Sequence, residues 1–391
     1  MIEGRSLDST NNKLTYGMVG GGPGSFIGPV HRAAIALNGQ AKIVAGSFSN
    51  IVEEVYETAA ELGIDNDRTY ETYQEMAEKE SQREDCIDFV SITVPNHIHY
   101  DVAKTFLEKE INVVCDKPLC FSEEQAKTLI DLAEKNNVNF MVTYTYTGYP
   151  MIREAKELVK SGKLGKLRVV VAEYPQDWLA DRLEDQGNRQ AEWRTNPKFS
   201  GISNCVGDIG THVENLVHFV TGLEIEKLSA KLEKLVPGRV LDDNAYILLE
   251  YEGGATGNYW ASQVAIGKEN GLKLRVYGTE GSIEWEQEHP NYLKYVQKGG
   301  TVQTMSRGSG YLSATAQGFI RLPAGHPEGY FEAFANLYKV YCGKLIADKN
   351  GQKYECEFPT VVDGARGVKF VHDCVKSSEN KNEWVDGSFN Y

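Results

Sequence analysis

No run of 18 or more apolar residues occurs in this 391-residue sequence, so the usual membrane-spanning helix is excluded. Positive charge is also scarce: 41 Lys and Arg stand against 55 Asp and Glu, a formal net charge of −14. Nucleic-acid binding draws much of its affinity from basic excess, and no long Lys/Arg-rich run supplies it locally. Neither nucleic acid nor a membrane is therefore an expected partner. Cysteine is present but unpatterned: Cys86, Cys115, Cys120, Cys205, Cys342, Cys356 and Cys374 form no C-x-x-C and no finger-like pair. That spacing argues against zinc and, with the odd count, against a disulfide framework, so no metal site is expected. The N-terminus lacks the basic-then-apolar order of a signal peptide, and the expected compartment is the cytoplasm, with reduced thiols. Ile2-Glu3-Gly4-Arg5 spells a protease site used in expression tags, so residues 1–12 read as a tag or disordered tail.

At this length two domains are expected. In residues 13–146 short apolar runs (Tyr16–Val19, Ala41–Ala45, Ile87–Val94, Ile111–Cys115 and Val138–Thr143) alternate with helical stripes. The stripes are Ala33, Ala34 and Leu37; Val52, Val55, Tyr56 and Ala59; Val102, Ala103, Phe106 and Leu107; and Ala126, Leu129, Ile130 and Ala133. Ser122 and Gln125 open the last of these at capping-box spacing. Strands alternating with helices imply right-handed crossovers and a doubly wound parallel sheet. Such sheets bind ligands beyond the C-terminal ends of their strands.

The residues just after each strand are therefore the candidates for a site. After the first strand come Gly20, Gly22, Pro23, Gly24, Ser25, Phe26 and Ile27. Glycines there permit a tight turn and let backbone N–H groups approach a pyrophosphate at a helix N-terminus. The third glycine of a G-x-G-x-x-G is displaced, with Ser25 in its place and Gly28 three residues on, so an ordinary glycine-rich turn stays open on this motif alone. After the second strand stand Ser47, Ser49 and Asn50, neither the acid of an NAD site nor the arginine of an NADP site. Both cofactors remain open, with NAD favoured because no basic residue is there. Thr93, Pro95, Asn96 and His99 follow the third strand, and Asp116 and Lys117 the fourth. A lysine at the rim of a buried strand faces the ligand crevice, where desolvation tunes it towards proton transfer; a plain surface lysine is the alternative.

Residues 147–391 read as a second domain for substrate binding and oligomerisation. A helix over 150–160 precedes a strand near 168–173, then a long polar stretch with Trp178, Trp193 and Arg194. A loop of that length in a compact domain is usually functional or mobile. Asp208 and His212 follow at helical i,i+4 spacing beside an apolar stripe of Ile209, Val213, Leu216 and Val217. A carboxylate beside a histidine orients it and raises its basicity, although the pair could equally be a helix-surface contact. From Glu226 onward, strand-like runs joined by glycine turns predict a meandering antiparallel sheet. Helices over about 328–342 and 361–376 complete the domain. Tyr246, Tyr259 and Trp260 mark the sheet's other face as a subunit contact.

The order of glycine loop, Pro95-Asn96-x-x-His99, Asp116-Lys117-Pro118, Trp193-Arg194 and Asp208-x-x-x-His212 resembles the Gfo/Idh/MocA family over about residues 14–390. The resemblance implies a Rossmann N-terminal domain and a C-terminal α/β domain with an open, mostly antiparallel sheet. It implies an NAD(P)-dependent dehydrogenase or reductase of a sugar, glycoside or cyclitol, pairing through that sheet as a homodimer or homotetramer. Lys117 and His212 would flank the reacting hydroxyl or carbonyl, with Asp208 orienting His212. Tyr144, Tyr146, Trp178, Trp193, Arg194 and Asn204, with Asp208 and His212, would hold the sugar; core packing is the alternative for each aromatic. Two departures stand out: Asp-Lys-Pro replaces Glu-Lys-Pro, and the loop over Pro23–Ile27 is enlarged. Two other readings use the same fold, a non-catalytic dinucleotide-binding sensor and a dehydrogenase of a non-sugar substrate such as a dihydrodiol.

Overall fold

A computed structural model describes residues 13–391, so the expected tail lies outside the described residues. The N-terminal unit runs β1 (Leu14–Gly20), α1 (Ile27–Asn38), β2 (Ala41–Ser47), α2 (Val52–Glu61), α3 (Tyr73–Ser81), β3 (Phe89–Thr93), α4 (His99–Leu107), β4 (Asn112–Cys115), α5 (Glu123–Lys135) and β5 (Phe140–Val142). Its strands form one sheet in the order β2-β1-β3-β4-β5, paired in parallel throughout. The order reverses between β1 and β3, which opens a crevice at their C-terminal ends. Every residue of β3 is buried, as near-continuous apolarity requires of a central strand. Ser122 caps α5 by accepting from the Gln125 N–H at 3.2 Å, and the Gln125 side chain accepts from the Phe121 N–H at 3.0 Å.

Two helices turn differently from the periodicity. On α1 the buried positions are Gly28, Val30, His31, Ala34 and Ile35, while Ala33 is exposed and Leu37 is 51% exposed. A buried histidine on that face disguised it. On α2, Val55, Thr58 and Ala59 face the core, and Val52 and Tyr56 lie outward. Helix α3 has no apolar stripe to announce it, because its third buried residue is Glu80. That carboxylate is satisfied by Arg68 Nε at 2.9 Å and the Tyr70 hydroxyl at 2.8 Å.

The second unit begins with α6 (Pro150–Lys160) and β6 (Leu167–Pro175), then two short helices, α7 (Arg189–Arg194) and α8 (Pro197–Ser200), and α9 (Thr211–Thr221). Strands β7 (Ile225–Glu233), β8 (Asn244–Tyr251), β9 (Thr256–Ser262), β10 (Lys273–Gly278), β11 (Gly281–Glu286), β12 (Tyr292–Gln297) and β13 (Val302–Ser306) follow. Helices α10 (Ala314–Gln317), α11 (Tyr330–Lys349) and α12 (Val361–Glu379) and strand β14 (Val385–Asp386) end the chain. The nine-stranded sheet has the order β13-β12-β11-β10-β6-β9-β8-β7-β14 and is antiparallel except for the β6–β9 pair. One face is covered by α6, α9 and α12 in a single apolar core.

On the open face Tyr246 stacks on Trp260 across β8 and β9, with ring centroids 6.5 Å apart. Tyr259, expected beside them, is 1% exposed and points into the core. Successive strand residues face opposite sides, so Tyr259 and Trp260 cannot share a face. Helix α11 also departs from expectation. It packs on the first sheet rather than completing the second unit: Phe334, Leu337, Tyr338, Tyr341 and Leu345 share a core with Leu14, Tyr16, Met18 and Val30. The Tyr341 hydroxyl donates to the Val113 carbonyl of β4 at 3.1 Å.

Candidate active site

A cavity of about 1250 Å³ runs from the crevice at β1 and β3 to the junction with α9. That exceeds a typical small-ligand pocket and suits a dinucleotide with a second molecule beside it. Its first half is walled by the backbone from Gly20 to Ile27 and by Ser47, Ser49 and Asn50. Gly20, Gly21 and Gly24 have φ of +81°, +78° and +74°, where side chains are strained. A Cβ on Gly20 would lie 2.7 Å from the Thr93 carbonyl oxygen, and one on Gly28 would lie 2.3 Å from Gly21 Cα. Gly28 therefore does the close-packing job of the displaced third glycine. Ser25 accepts from the Gly28 N–H at 3.2 Å through its hydroxyl, tying the loop to the helix start. This backbone cradle at the N-terminus of α1 fits a pyrophosphate.

Thr93, Pro95, Asn96 and Asp116 also line the cavity. His99 borders it but is fully buried, with Nδ1 2.7 Å from the Pro118 carbonyl and Nε2 2.9 Å from the Val94 carbonyl. Its ring holds the ends of β3 and β4 together and offers no free nitrogen. Beneath Asp116 lies a buried network that sequence reading missed. His31 Nε2 is 3.2 Å from Asp116 Oδ1, His31 Nδ1 is 2.6 Å from the Tyr338 hydroxyl, and Thr143 donates to Asp116.

Lys117, Asp208 and His212 meet in the second half of the cavity. Lys117 Nζ donates to the Asp208 backbone oxygen at 2.7 Å and to Oδ1 at 2.8 Å. Gln263 Nε2 donates to Oδ2 at 2.9 Å, and Arg194 Nε lies 3.4 Å from the same oxygen. Burial opposes ionisation of Asp208, but the charges of Lys117 and Arg194 and the Lys117 hydrogen bond outweigh it. They hold this carboxyl well below the usual carboxylate range. Residues Val206–Gly210 form a π-helical turn leading into α9, a device frequent at functional sites. The carboxylate of Asp208 is thus spent on Lys117, Gln263 and Arg194, and the expected Asp208–His212 hydrogen bond is absent among the described residues.

His212 instead sits among three tyrosines, with ring centroids 4.8 Å from Tyr146, 5.7 Å from Tyr144 and 6.2 Å from Tyr174. Its Nδ1 is buried with no hydrogen-bond partner. Burial first, and the Lys117 charge second, push its pKa well below the ordinary histidine value, so the ring is neutral at neutral pH.

Tyr146, Trp178, Trp193 and Arg194 line the same half of the cavity. Arg194 lies over the Trp193 ring at 4.1 Å and donates to Gln190 Oε1 at 2.5 Å. Two of the expected sugar contacts are not at the cavity wall. The Tyr144 hydroxyl is 2.8 Å from Thr211 Oγ1 inside the core. Asn204 donates to Gln263 Oε1 at 2.7 Å and so props the amide that holds Asp208. Residues unforeseen in sequence complete the wall. The Tyr174 hydroxyl donates to Asn270 Oδ1 at 2.6 Å, and Gln176 Nε2 donates to the same oxygen at 2.8 Å.

Comparison with known proteins bears on this geometry directly. Residues 14–144 match the oxidoreductase family with an NAD-binding Rossmann fold, and residues 152–284 match the GFO/IDH/MocA C-terminal domain. The oxidoreductase YfiI of Bacillus subtilis (strain 168) is 33% identical over 99% of both chains. The chain belongs to the Gfo/Idh/MocA oxidoreductase family. Among solved structures, an inositol dehydrogenase homolog from Azotobacter vinelandii complexed with NAD+ superposes with TM-score 0.93 and 38% identity, covering 97% of this chain and 98% of that one. Levoglucosan dehydrogenase complexed with NADH and levoglucosan gives TM-score 0.81 and 25% identity, covering 96% and 99%.

As a Gfo/Idh/MocA member the protein is an NAD(P)-dependent oxidoreductase acting on CH–OH groups. Among the described residues no three His, Cys, Asp or Glu side chains converge as a metal site, and no helix is long and apolar enough to cross a membrane.

Proposed function

We propose that this enzyme oxidises one secondary hydroxyl of a neutral sugar or cyclitol, using NAD. The observation carrying this reading is the Lys117–Asp208–His212 cluster against a wall of tryptophans and side-chain amides. Bound nicotinamide supplies the hydride acceptor; the chain supplies the proton chemistry. Lys117 spends two N–H donors on Asp208 and keeps a third for the substrate oxygen. Its charge stabilises developing alkoxide. His212, neutral and lining the cavity beside Lys117, takes the hydroxyl proton. Asp208 acts as a positioning residue for Lys117.

Neutrality of the substrate follows from the charges at this end of the cavity. Asp208 partly neutralises both Lys117 and Arg194, which weakens their pull on a carboxylate or phosphate while leaving one Lys117 donor for the reacting oxygen. Trp178 and Trp193 offer aromatic faces to a C–H-rich ring, and Gln176, Gln190 and Asn270 suit hydroxyls. NAD is favoured over NADP because Ser49 donates to the Glu54 carboxylate at 2.6 Å. A carboxylate rather than a basic residue thus stands near the end of β2, the region where this fold type reads the ribose. Levoglucosan and inositol named with related structures illustrate the substrate class.

The test is a screen of cyclitols, aldoses and anhydrosugars with NAD+ and NADP+, followed by reduced-nicotinamide absorbance. Turnover confined to sugar acids or phosphates would sink the neutral-substrate reading. Tight NADH binding without turnover of any polyol would favour the sensor.

The same proposal extends to assembly and compartment. Two copies pair through the open sheet face, where Tyr246 and Leu248 are each 51% exposed beside the Glu173–Arg275 ion pair at 3.0 Å. Leu248→Arg is expected to shift sedimentation to the monomer; an unchanged sedimentation coefficient would count against this face. All seven thiols are unpaired, which suits a reducing compartment such as the cytoplasm.

A further inference from the structure

The stretch between β6 and α9 belongs to the second domain in sequence but leans on the first. The Phe199 ring meets His97 edge-on with centroids 5.1 Å apart. Gly201 lies so close to the Phe121 ring that a Cβ there would be 3.3 Å from it. Arg189, at the start of α7, reaches furthest. Its Nη1 stands 2.8 Å from where a Cβ on Gly24 would be, over the middle of the glycine loop. Asn188 fixes this presentation, its Oδ1 accepting from the N–H groups of Gln190 and Ala191 at 3.0 and 3.1 Å. Among the described residues Arg189 has no hydrogen-bond or ion-pair partner. The other cavity lysine and arginine, Lys117 and Arg194, are both taken by Asp208.

We propose that Arg189 is a cofactor-binding residue contributed by the second domain, gripping the dinucleotide pyrophosphate from the side opposite the glycine loop. A planar guanidinium matches two phosphate oxygens at once, and its charge complements a group that the loop meets only with backbone N–H donors. Gly24 fits the same purpose: any side chain there would push the guanidinium off the loop. The inference rests on a dinucleotide lying in the glycine cradle and adds a contact from outside the Rossmann domain.

The experiment compares the full-length wild type with Arg189→Ala and Arg189→Lys. Calorimetry measures ADP-ribose and adenosine binding, and fluorescence measures NADH binding, at low and high salt. Arg189 is exposed, so its replacement leaves the core intact. Expected for Arg189→Ala is a rise in Kd of about tenfold or more for ADP-ribose and NADH, with a shallower salt dependence and unchanged adenosine binding. Arg189→Lys should recover part of the loss, since it restores charge without the fork. Equal ADP-ribose affinity in wild type and Arg189→Ala overturns the proposal and leaves the dinucleotide site standing. Equal weakening of adenosine overturns it too, by revealing a merely structural role. Failure of the wild type to bind ADP-ribose or NADH removes the cradle reading and the proposal together.

Discussion

Replacing Lys117 with alanine is expected to lower kcat by roughly a thousandfold or more while NADH affinity stays nearly constant. The asymmetry follows from where the side chain ends. Its Nζ is 2.8 Å from Asp208 Oδ1, at the second-domain end of the cavity, whereas the glycine cradle is built from backbone. A single oxyanion donor contributes about a hundredfold to a thousandfold, and loss of a positioned proton partner adds to it. Lys117→Arg should rescue little, because a planar fork cannot reproduce a compact ammonium between two oxygens of one residue. The kcat/KM profile carries a second signature. The Lys117 charge is one cause of the depressed His212 pKa, second to burial. The wild type should therefore keep activity below the ordinary histidine pKa, and the acid limb of Lys117→Ala should move to higher pH. Near-normal turnover in Lys117→Ala, or acid limbs that coincide, would remove Lys117 from the chemistry.

The parts of this molecule that were legible in sequence are those decided by near neighbours. The β1 turn needs glycine because of its own φ angles, and β3 is apolar because both its faces are covered. Capping of α5 involves residues three and four apart. Parts decided by distant partners were not legible. His31 is buried because Tyr338, from a helix 307 residues later, bonds its ring, so the true face of α1 looked polar. Glu80 is a core residue only because Arg68 and Tyr70 satisfy it. Helix α11 reads as the next element of the second domain, yet its apolar side chains complete the first domain's core.

The site divides the same way. Lys117, Asp208 and His212 could be named from strand ends and helix spacing, but their pairing could not. Spacing alone joined Asp208 to His212, whereas the fold gives Asp208 to Lys117. Tyr144 and Asn204 carry suitable chemistry one layer too deep. Tyr174, Gln176 and Asn270 converge from the end of β6 and the β9–β10 connection, and nothing in their local sequence distinguishes them.

The contribution of Glu214 to stability should fall as pH rises from about 4.5 to about 8. This residue is on α9, two positions beyond His212, and is 2% exposed. Its Oε2 has no hydrogen-bond partner. The cation that opposes this burial, Arg366, is spent on Glu224, with Nη2 3.2 Å from Oε1. Burial, with Asp363 and Glu224 adding to it against Arg366, raises the Glu214 pKa from 4.5 to about 8. A carboxyl whose pKa is higher folded than unfolded holds its proton longer in the native state. Between the two values the unfolded chain binds fewer protons, so unfolding becomes easier as pH increases. Each pH unit in that window costs about 1.4 kcal/mol, up to roughly 5 kcal/mol across it, with no further loss above the folded value. Glu214→Gln keeps the shape and removes the proton. The variant should match the wild type near pH 5 and exceed it progressively towards pH 8, by several degrees in thermal midpoint. Parallel midpoint curves for the two proteins across that range would show that Glu214 is already ionised in the fold.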